Sequence, residues 1–501
     1  MGNKLFTLLF AAMLPAAGAM ASDYYVSVNG NGTKDGSSWD NALRFATFCA
    51  HVNNYTNGDT FYFAGGTYYA TSKTPTAITN GYTFIGGFDP ALTGTEHATP
   101  AYPSSTPTVF SGDVNQNGKQ DAEDASRFLA LKTDTKKGGD KQKPFVIQGI
   151  EFTSCFDSTS TKTHGAVQLN NCYDVTIKNC RFYNNNTPIS GYGGMAFTSY
   201  RSTAFVQDCE FTDNAAVQRG GAVYVWGDGT DYTKGYTVFE RCLFSGNKVT
   251  DESKPLGSAI FYSHGPALWL VNCTITGNDA PSGGAVFVNG ADKSWRREAY
   301  VIGCTIAGNQ INMSQGARLF LADSYIVGNE DDGTTAKAAI AVTGTSESTE
   351  FSIVSKGCNI IGGYANQVAQ AAYVPSWDAT DQQGSGNLYS TVFGTNGLTD
   401  GVITPVVKTL GYEGSALKTA VTDAGWDAET ARVDLTVDQK GVTRGAGATA
   451  GAYAVNVTTG IGAVTSAATF NDSYYTVSGI RVAKPVAKGL YIRNGKVVIV
   501  R

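Results

Sequence analysis

Cys180-Arg-Phe182-Tyr-Asn-Asn185 recurs down the middle of the chain. It returns as Cys209-Glu-Phe211-Thr-Asp-Asn214, Cys242-Leu-Phe244-Ser-Gly-Asn247, Cys273-Thr-Ile275-Thr-Gly-Asn278 and Cys304-Thr-Ile306-Ala-Gly-Asn309. In a sixth copy, Ser324-Tyr-Ile326-Val-Gly-Asn329, serine replaces cysteine. Successive asparagines are 29, 33, 31, 31 and 20 residues apart. A second pattern falls between the copies, as Gly220-Gly221-Ala222, Gly257-Ser258-Ala259 and Gly283-Gly284-Ala285, and more loosely as His164-Gly165-Ala166 and Gln315-Gly316-Ala317. Each copy closes a short alternating run such as Tyr236-Thr-Val-Phe-Glu-Arg-Cys-Leu-Phe244. Period 2 sets Cys and Phe or Ile on one face. A unit this short cannot bury that face alone, but stacked units can. The repeats therefore predict a parallel β-helix with Cys over Cys, Phe over Phe and Asn over Asn. Stacked asparagines bond amide to amide, and asparagine tolerates the left-handed backbone of a corner. Coils ~4.8 Å apart give about ten to twelve coils in a rod roughly 50–60 Å long.

Composition agrees. The 501 residues include 59 Gly and 51 Phe plus Tyr, with only 16 % charged. That excludes a coiled coil and, at 42 % hydrophobic, a disordered chain. The net charge of −5 and the lack of a basic run argue against a nucleic-acid partner. The nine cysteines recur singly at one position of the repeat, which predicts a buried column of thiols acting as small hydrophobes. Coil spacing also leaves disulfides within reach.

The ends read differently. Met1 to Ala21 has Lys4, an apolar run from Leu5 to Leu14 and Ala19-Met20-Ala21, the pattern of a cleaved secretory signal. No later stretch is long and apolar enough for a transmembrane helix. Residues 22–455 form the predicted β-helix, 456–470 a linker, and 471–501 a small β tail with Asn494-Gly495 as a hairpin turn. Asp40 to His51 is predicted to be a capping helix, with Asp40 or Asn41 as N-cap and Leu43, Ala46 and Ala50 on its inner face.

The Gly-Gly-Ala and Phe-x-x-Asn repeats resemble the polymorphic outer membrane protein repeat of pectate-lyase-like, right-handed β-helix proteins. Tyr24 to Trp39, Gly58 to Tyr68 and Tyr82 to Asp89 resemble the first coils of such proteins, and Asp438 to Gly441, Arg444 and Gly451 to Tyr453 their closing segment. The resemblance covers about Asp23 to Val455. It implies an all-β right-handed solenoid and says little of chemistry. The tail resembles a shortened sorting segment of secreted Bacteroidetes proteins. That implies an outer-membrane secretion machinery as partner, and an extracellular or cell-surface location.

Three groups of residues are candidates for chemistry. Asp113-Val-Asn115-Gln-Asn117-Gly118-Lys119-Gln-Asp121-Ala-Glu-Asp124 fits a calcium loop. Its ligands would be Asp113, Asn115, Asn117, the Lys119 carbonyl, Asp121 through water, and Asp124, with Gly118 at the sharp turn. A solvated loop is the other reading. Tyr224, Trp226 and Tyr232, with Asp228 and Asp231, are placed on or beside one long loop, where rings and carboxylates suit sugar stacking. Trp295 and Arg296, with Lys293 and Arg297, would meet an acidic sugar or form an exposed loop. Glu330-Asp331-Asp332 reads as a solvated corner, and His164 as part of a turn. The acidic clusters and Gly-His-Gly pattern of β-helix lyases and polygalacturonases are missing. The expected function is therefore a non-enzymatic adhesin or glycan binder of the cell surface, partnered by polysaccharide or host glycan. The alternative is a lyase or glycoside hydrolase acting on acidic polysaccharide. Paired acids and bases on adjacent outward strand positions would favour the enzyme.

Overall fold

The computed structural model describes residues 21–132, 144–158, 164–189, 193–227, 235–251, 256–263, 265, 267–280, 284–290, 298–314, 316–327, 338–343, 352–362, 364–366, 376–383, 411–445, 448, 450–452, 474–476, 481–482, 489–493 and 496–500. Contacts divide the chain into two units, Met1–Asn456 and Val457–Arg501.

The first unit is a right-handed parallel β-helix. Three long sheets run its length, with twelve strands in sheet A, eleven in sheet B and nine in sheet C. One coil shows the order: Val175–Lys178 in sheet A, Arg181–Tyr183 in sheet B, then Phe197–Tyr200 in sheet C. Each pairs in register with its equivalents in the coils before and after.

The predicted columns form. Phe152, Phe182, Phe211 and Phe244 stack with ring centroids 4.9, 4.8 and 4.8 Å apart. Cys180, Cys209, Cys242, Cys273 and Cys304 are buried beside them as free thiols. Ser324 takes the next rung, and its Oγ accepts the Cys304 N–H at 3.2 Å. Asn185, Asn214, Asn247, Asn278 and Asn309 make an amide ladder, with Nδ2 to Oδ1 distances of 2.9, 3.0, 2.8 and 3.0 Å. Asn329 lies outside the described residues.

The left-handed backbone belongs to the residue before each ladder asparagine. Asn184, Asp213, Gly246, Gly277 and Gly308 have φ between 53° and 69°. The ladder asparagine is thus freed to point inward. The glycine of each Gly-Asn pair is the bend, and the asparagine is the bond. In the Gly-Gly-Ala motif, a Cβ on Gly221 would fall 2.3 Å from the Ser258 carbonyl oxygen. Neighbouring backbones there touch.

The cap differs from expectation. Trp39–Asn41 is a short 3-10 turn, and helix α1 begins later, at Phe45–His51. The Asp40 carboxylate accepts the Gly94 N–H at 2.7 Å and Asn41 Oδ1 the Thr33 N–H at 3.1 Å. Both candidate N-caps are therefore used by loops. Leu43 is buried in a strand, while Ala46 and Ala50 face outward. Phe45, Phe48 and Val52 enter the core instead, because large rings fill the open end of the first coil better than methyl groups.

The closing segment also differs. Residues 411–445, with helix α2 at Gly414–Asp423, lie along the outer face of sheet A. Leu417, Val421, Trp426, Ala431 and Leu435 cover Phe205, Val238, Trp269, Tyr300 and Phe320. Arg444 anchors this strap. Its Nη1 donates to Asp323 at 2.7 Å, and its Nη2 to Asn272 Oδ1 and the Gly451 carbonyl.

The second unit holds an antiparallel four-stranded sheet, in which Gly489–Arg493 pairs with Lys496–Val500 across the predicted hairpin. Residues 1–20, nearly all of the predicted signal, lie outside the described residues. No described helix is long and apolar enough to cross a membrane.

Candidate functional site

With sheet A covered, the outward faces of sheets B and C remain. Five sheet C strands begin just after an alanine: Ala166, Ala196, Ala222, Ala259 and Ala285. In this sheet Leu129–Lys132, Val167–Asn170, Phe197–Tyr200, Val223–Trp226, Ile260–Ser263 and Val286–Asn289 pair in register. Their last residues therefore form one column: Lys132, Asn170, Tyr200, Trp226, Ser263 and Asn289. At ~4.8 Å per coil the column runs ~24 Å, long enough for several sugar rings.

This column forms part of a groove of about 1030 Å³, which Arg127, His164, Gln168, Arg219 and Tyr224 also line. The described lining residues carry three cationic side chains and no carboxylate. The sequence has no basic run because Arg127 just precedes and Lys132 ends one strand, Leu129–Lys132, and Arg219 comes from a coil three turns on. Arg127 Nη1 donates to Gln168 Oε1 at 2.8 Å, while its Nε is buried without a hydrogen-bond partner. Burial pulls the Arg127 pKa down and nearby Asp157 pushes it back. Behind the groove wall, Asp157 Oδ2 meets His164 Nδ1 at 2.9 Å, leaving Nε2 as that ring's other nitrogen.

The aromatic members differ in exposure. Trp226 is half-buried, with the Tyr200 and Tyr224 rings 4.9 and 4.8 Å away. Tyr224 is only 4 % exposed, stacked on Phe261 at 5.0 Å. Both Tyr224 and Trp226 sit on a strand rather than on a loop. Asp228, Tyr232, Trp295 and Arg296 lie outside the described residues, as do Asp231, Lys293, Arg297 and Glu330 to Asp332. Lys132, Asn170, Tyr200, Ser263 and Asn289 were missed from sequence. The signal was present: counting four residues on from Ala166, Ala196, Ala222, Ala259 and Ala285 lands on Asn170, Tyr200, Trp226, Ser263 and Asn289.

Sheet B presents ion pairs instead. Arg181 lies between Glu151 and Glu210 on adjacent strands, at 3.2 and 3.0 Å. Arg241 binds Asp208 at 2.7 Å and Glu240 at 3.1 Å. These flank a smaller cleft of about 270 Å³. They are paired acids and bases on neighbouring rungs, but each charge is already spent on its partner.

In the Asp113–Asp124 loop, Asp113 accepts the Asn117 and Gly118 N–H groups at 3.1 and 2.9 Å. Asp121 accepts Asn117 Nδ2 at 2.7 Å. Among the described residues no three His, Cys, Asp or Glu side chains gather as a metal site.

A family model described as "right handed beta helix region" matches residues 140–235. No curated protein matches the sequence. Among solved structures, the crystal structure of pectate lyase Pel9A is similar at 13 % identity and a TM-score of 0.30, covering 77 % of this chain and 88 % of that one.

Proposed function

We propose that this β-helix is a secreted cell-surface protein that binds an anionic glycan along the sheet C column without cleaving it. The carrying observation is the groove itself: an open face where Lys132, amides and aromatic rings share one register, and Arg127 and Arg219 line the same groove. Trp226 offers a ring face to a sugar. Arg127, Lys132 and Arg219 offer charge to carboxylate or sulfate. Asn170 offers its amide to hydroxyls. The 1–21 leader and the 471–501 tail would carry the chain out of the cell through the outer-membrane machinery.

A second reading, a lyase or hydrolase acting on acidic polysaccharide, has its own support. Asp157 orients His164 beside Arg127, as a base beside a charge neutraliser would be arranged.

A panel of polyuronates, sulfated glycans and neutral polysaccharides separates the readings. Retained binding of the anionic members with no product is expected. Trp226→Ala should weaken binding about tenfold, roughly 1.4 kcal/mol, as should Lys132→Ala. Ultraviolet absorbance from unsaturated uronates, or new reducing ends, abolished by His164→Ala, would replace binding by catalysis. Equal affinity for neutral and anionic chains would sink the role of the cations.

A further inference from the structure

We propose that the loop Asp113–Asp124 binds a calcium ion. The proposal stands whatever the sheet C groove holds. The spacing sets oxygen-bearing residues at positions 1, 3, 5, 7, 9 and 12 of a twelve-residue loop, with glycine at position 6. The loop has the bend that this pattern requires. Gly118 has φ +71°, which glycine adopts at no steric cost. Asp113, buried at the start, holds the turn through the N–H groups of Asn117 and Gly118.

The second observation is independent of that turn. Asp124, at position 12, is only 4 % exposed. Its Oδ2 accepts the Asp121 N–H at 3.0 Å. Its Oδ1 is buried with no hydrogen-bond partner. A carboxylate oxygen without a donor costs about 1–3 kcal/mol or more. Asp113 and Asp121 place like charge close by. The carboxylate thus faces the loop's own acids, with one oxygen unused. A divalent cation relieves both penalties at once.

The donor set suits calcium in particular. Calcium takes six to eight oxygens, many of them from amides and carbonyls, so three converging carboxylates are not required. Asn115 Nδ2 and Asn117 Nδ2 now point at the Asp121 carboxylate, at 3.2 and 2.7 Å. Half a turn of either amide exchanges nitrogen for oxygen and presents a ligand from the same place. Magnesium, which demands near-octahedral geometry and keeps its waters, fits such a set poorly.

Isothermal titration of the chelator-stripped full chain with calcium chloride tests this. One site with a dissociation constant of ~10⁻⁴ M or tighter is expected, with magnesium at least tenfold weaker. Asp124→Asn keeps the shape and removes the charge, and it should weaken calcium at least tenfold. If that buried variant fails to fold, Asp121→Asn at the surface is the second variant and should weaken calcium in the same direction. Calcium should also raise the melting temperature of the wild type but not of a folded Asp124→Asn. The absence of binding at ~10 mM calcium overturns the proposal. So does binding that all folded variants retain unchanged, since the ion would then sit elsewhere.

Discussion

Asn247 shows what a single rung contributes. Its Oδ1 accepts the Asn214 N–H and Nδ2 at 3.1 and 3.0 Å. Its Nδ2 donates to the Phe211 carbonyl and Asn278 Oδ1 at 2.9 and 2.8 Å. Asn247→Ala removes all four bonds and strands buried partners on both neighbouring coils. At about 1–3 kcal/mol per orphaned group, the total loss should be about 3 kcal/mol. It should appear as a lower urea midpoint with an unchanged slope. Gly246→Ala touches the same corner for another reason. Its φ is +69°, and a Cβ would lie 2.3 Å from Asp213 Oδ1. That cost is conformational, about 1–2 kcal/mol. If Asn247→Ala proves neutral, the ladder is ornament and the Phe column alone holds the turn.

The strap over sheet A is the element whose stability depends on one ion pair. Arg444 and Asp323 are buried together. Burial pushes the Asp323 pKa up to about 7, against the pull of Arg444 and the Tyr412 N–H. The unfolded value is about 3.9. A group raised on folding contributes stability fully below the unfolded value, and that contribution is lost as pH rises through the folded one. The loss here falls between about pH 4 and 7. Arg444→Met removes the opposing charge, so the carboxyl rises further and the loss deepens. The variant should lag the wild type least near pH 4.5 and by about 3–5 kcal/mol at pH 8, read by urea unfolding at the two pH values. A constant deficit would mean that Arg444 acts only through its carbonyl and amide bonds. The strap also shows where sequence reading stops. Ala267-Leu-Trp-Leu-Val271 and Leu319-Phe-Leu-Ala322 are continuous apolar runs, the mark of strands buried on both faces. The repeat made their inner face legible. Trp269 and Phe320, on the outer face, called for a cover that no local motif identifies. The groove was half legible for a similar reason. Trp226 stood out as a large ring, but Asn170 and Asn289 gain meaning only once the coils are set in register.

At the scale of the whole solenoid, each coil is held mainly by its neighbours, so opening should spread inward from unsupported coils. The cysteines are natural reporters. Seven of the nine, from Cys155 to Cys304, are buried at 0–1 % exposure. Cys49 and Cys358 are partly exposed, but burial pushes their thiols up to about 12 and 11. Thiolate is the reacting form. At pH 8 a pKa near 12 slows Cys49 by about three orders of magnitude relative to a free thiol. Native labelling with a maleimide should therefore be slow everywhere, and all nine thiols should react after unfolding without reductant. In graded urea, mass spectrometry should find Cys358 labelled first, since it lies beyond Asp323, where the strap is anchored. Cys209, Cys242 and Cys273 should come last. They sit in coils flanked on both sides, and the strap crosses those coils from Arg432 beside Asp174 to Arg444 on Asp323. Simultaneous labelling would mean that the strap welds the rod into one cooperative unit. Fewer than nine reactive thiols would mean that disulfides join neighbouring rungs of the column.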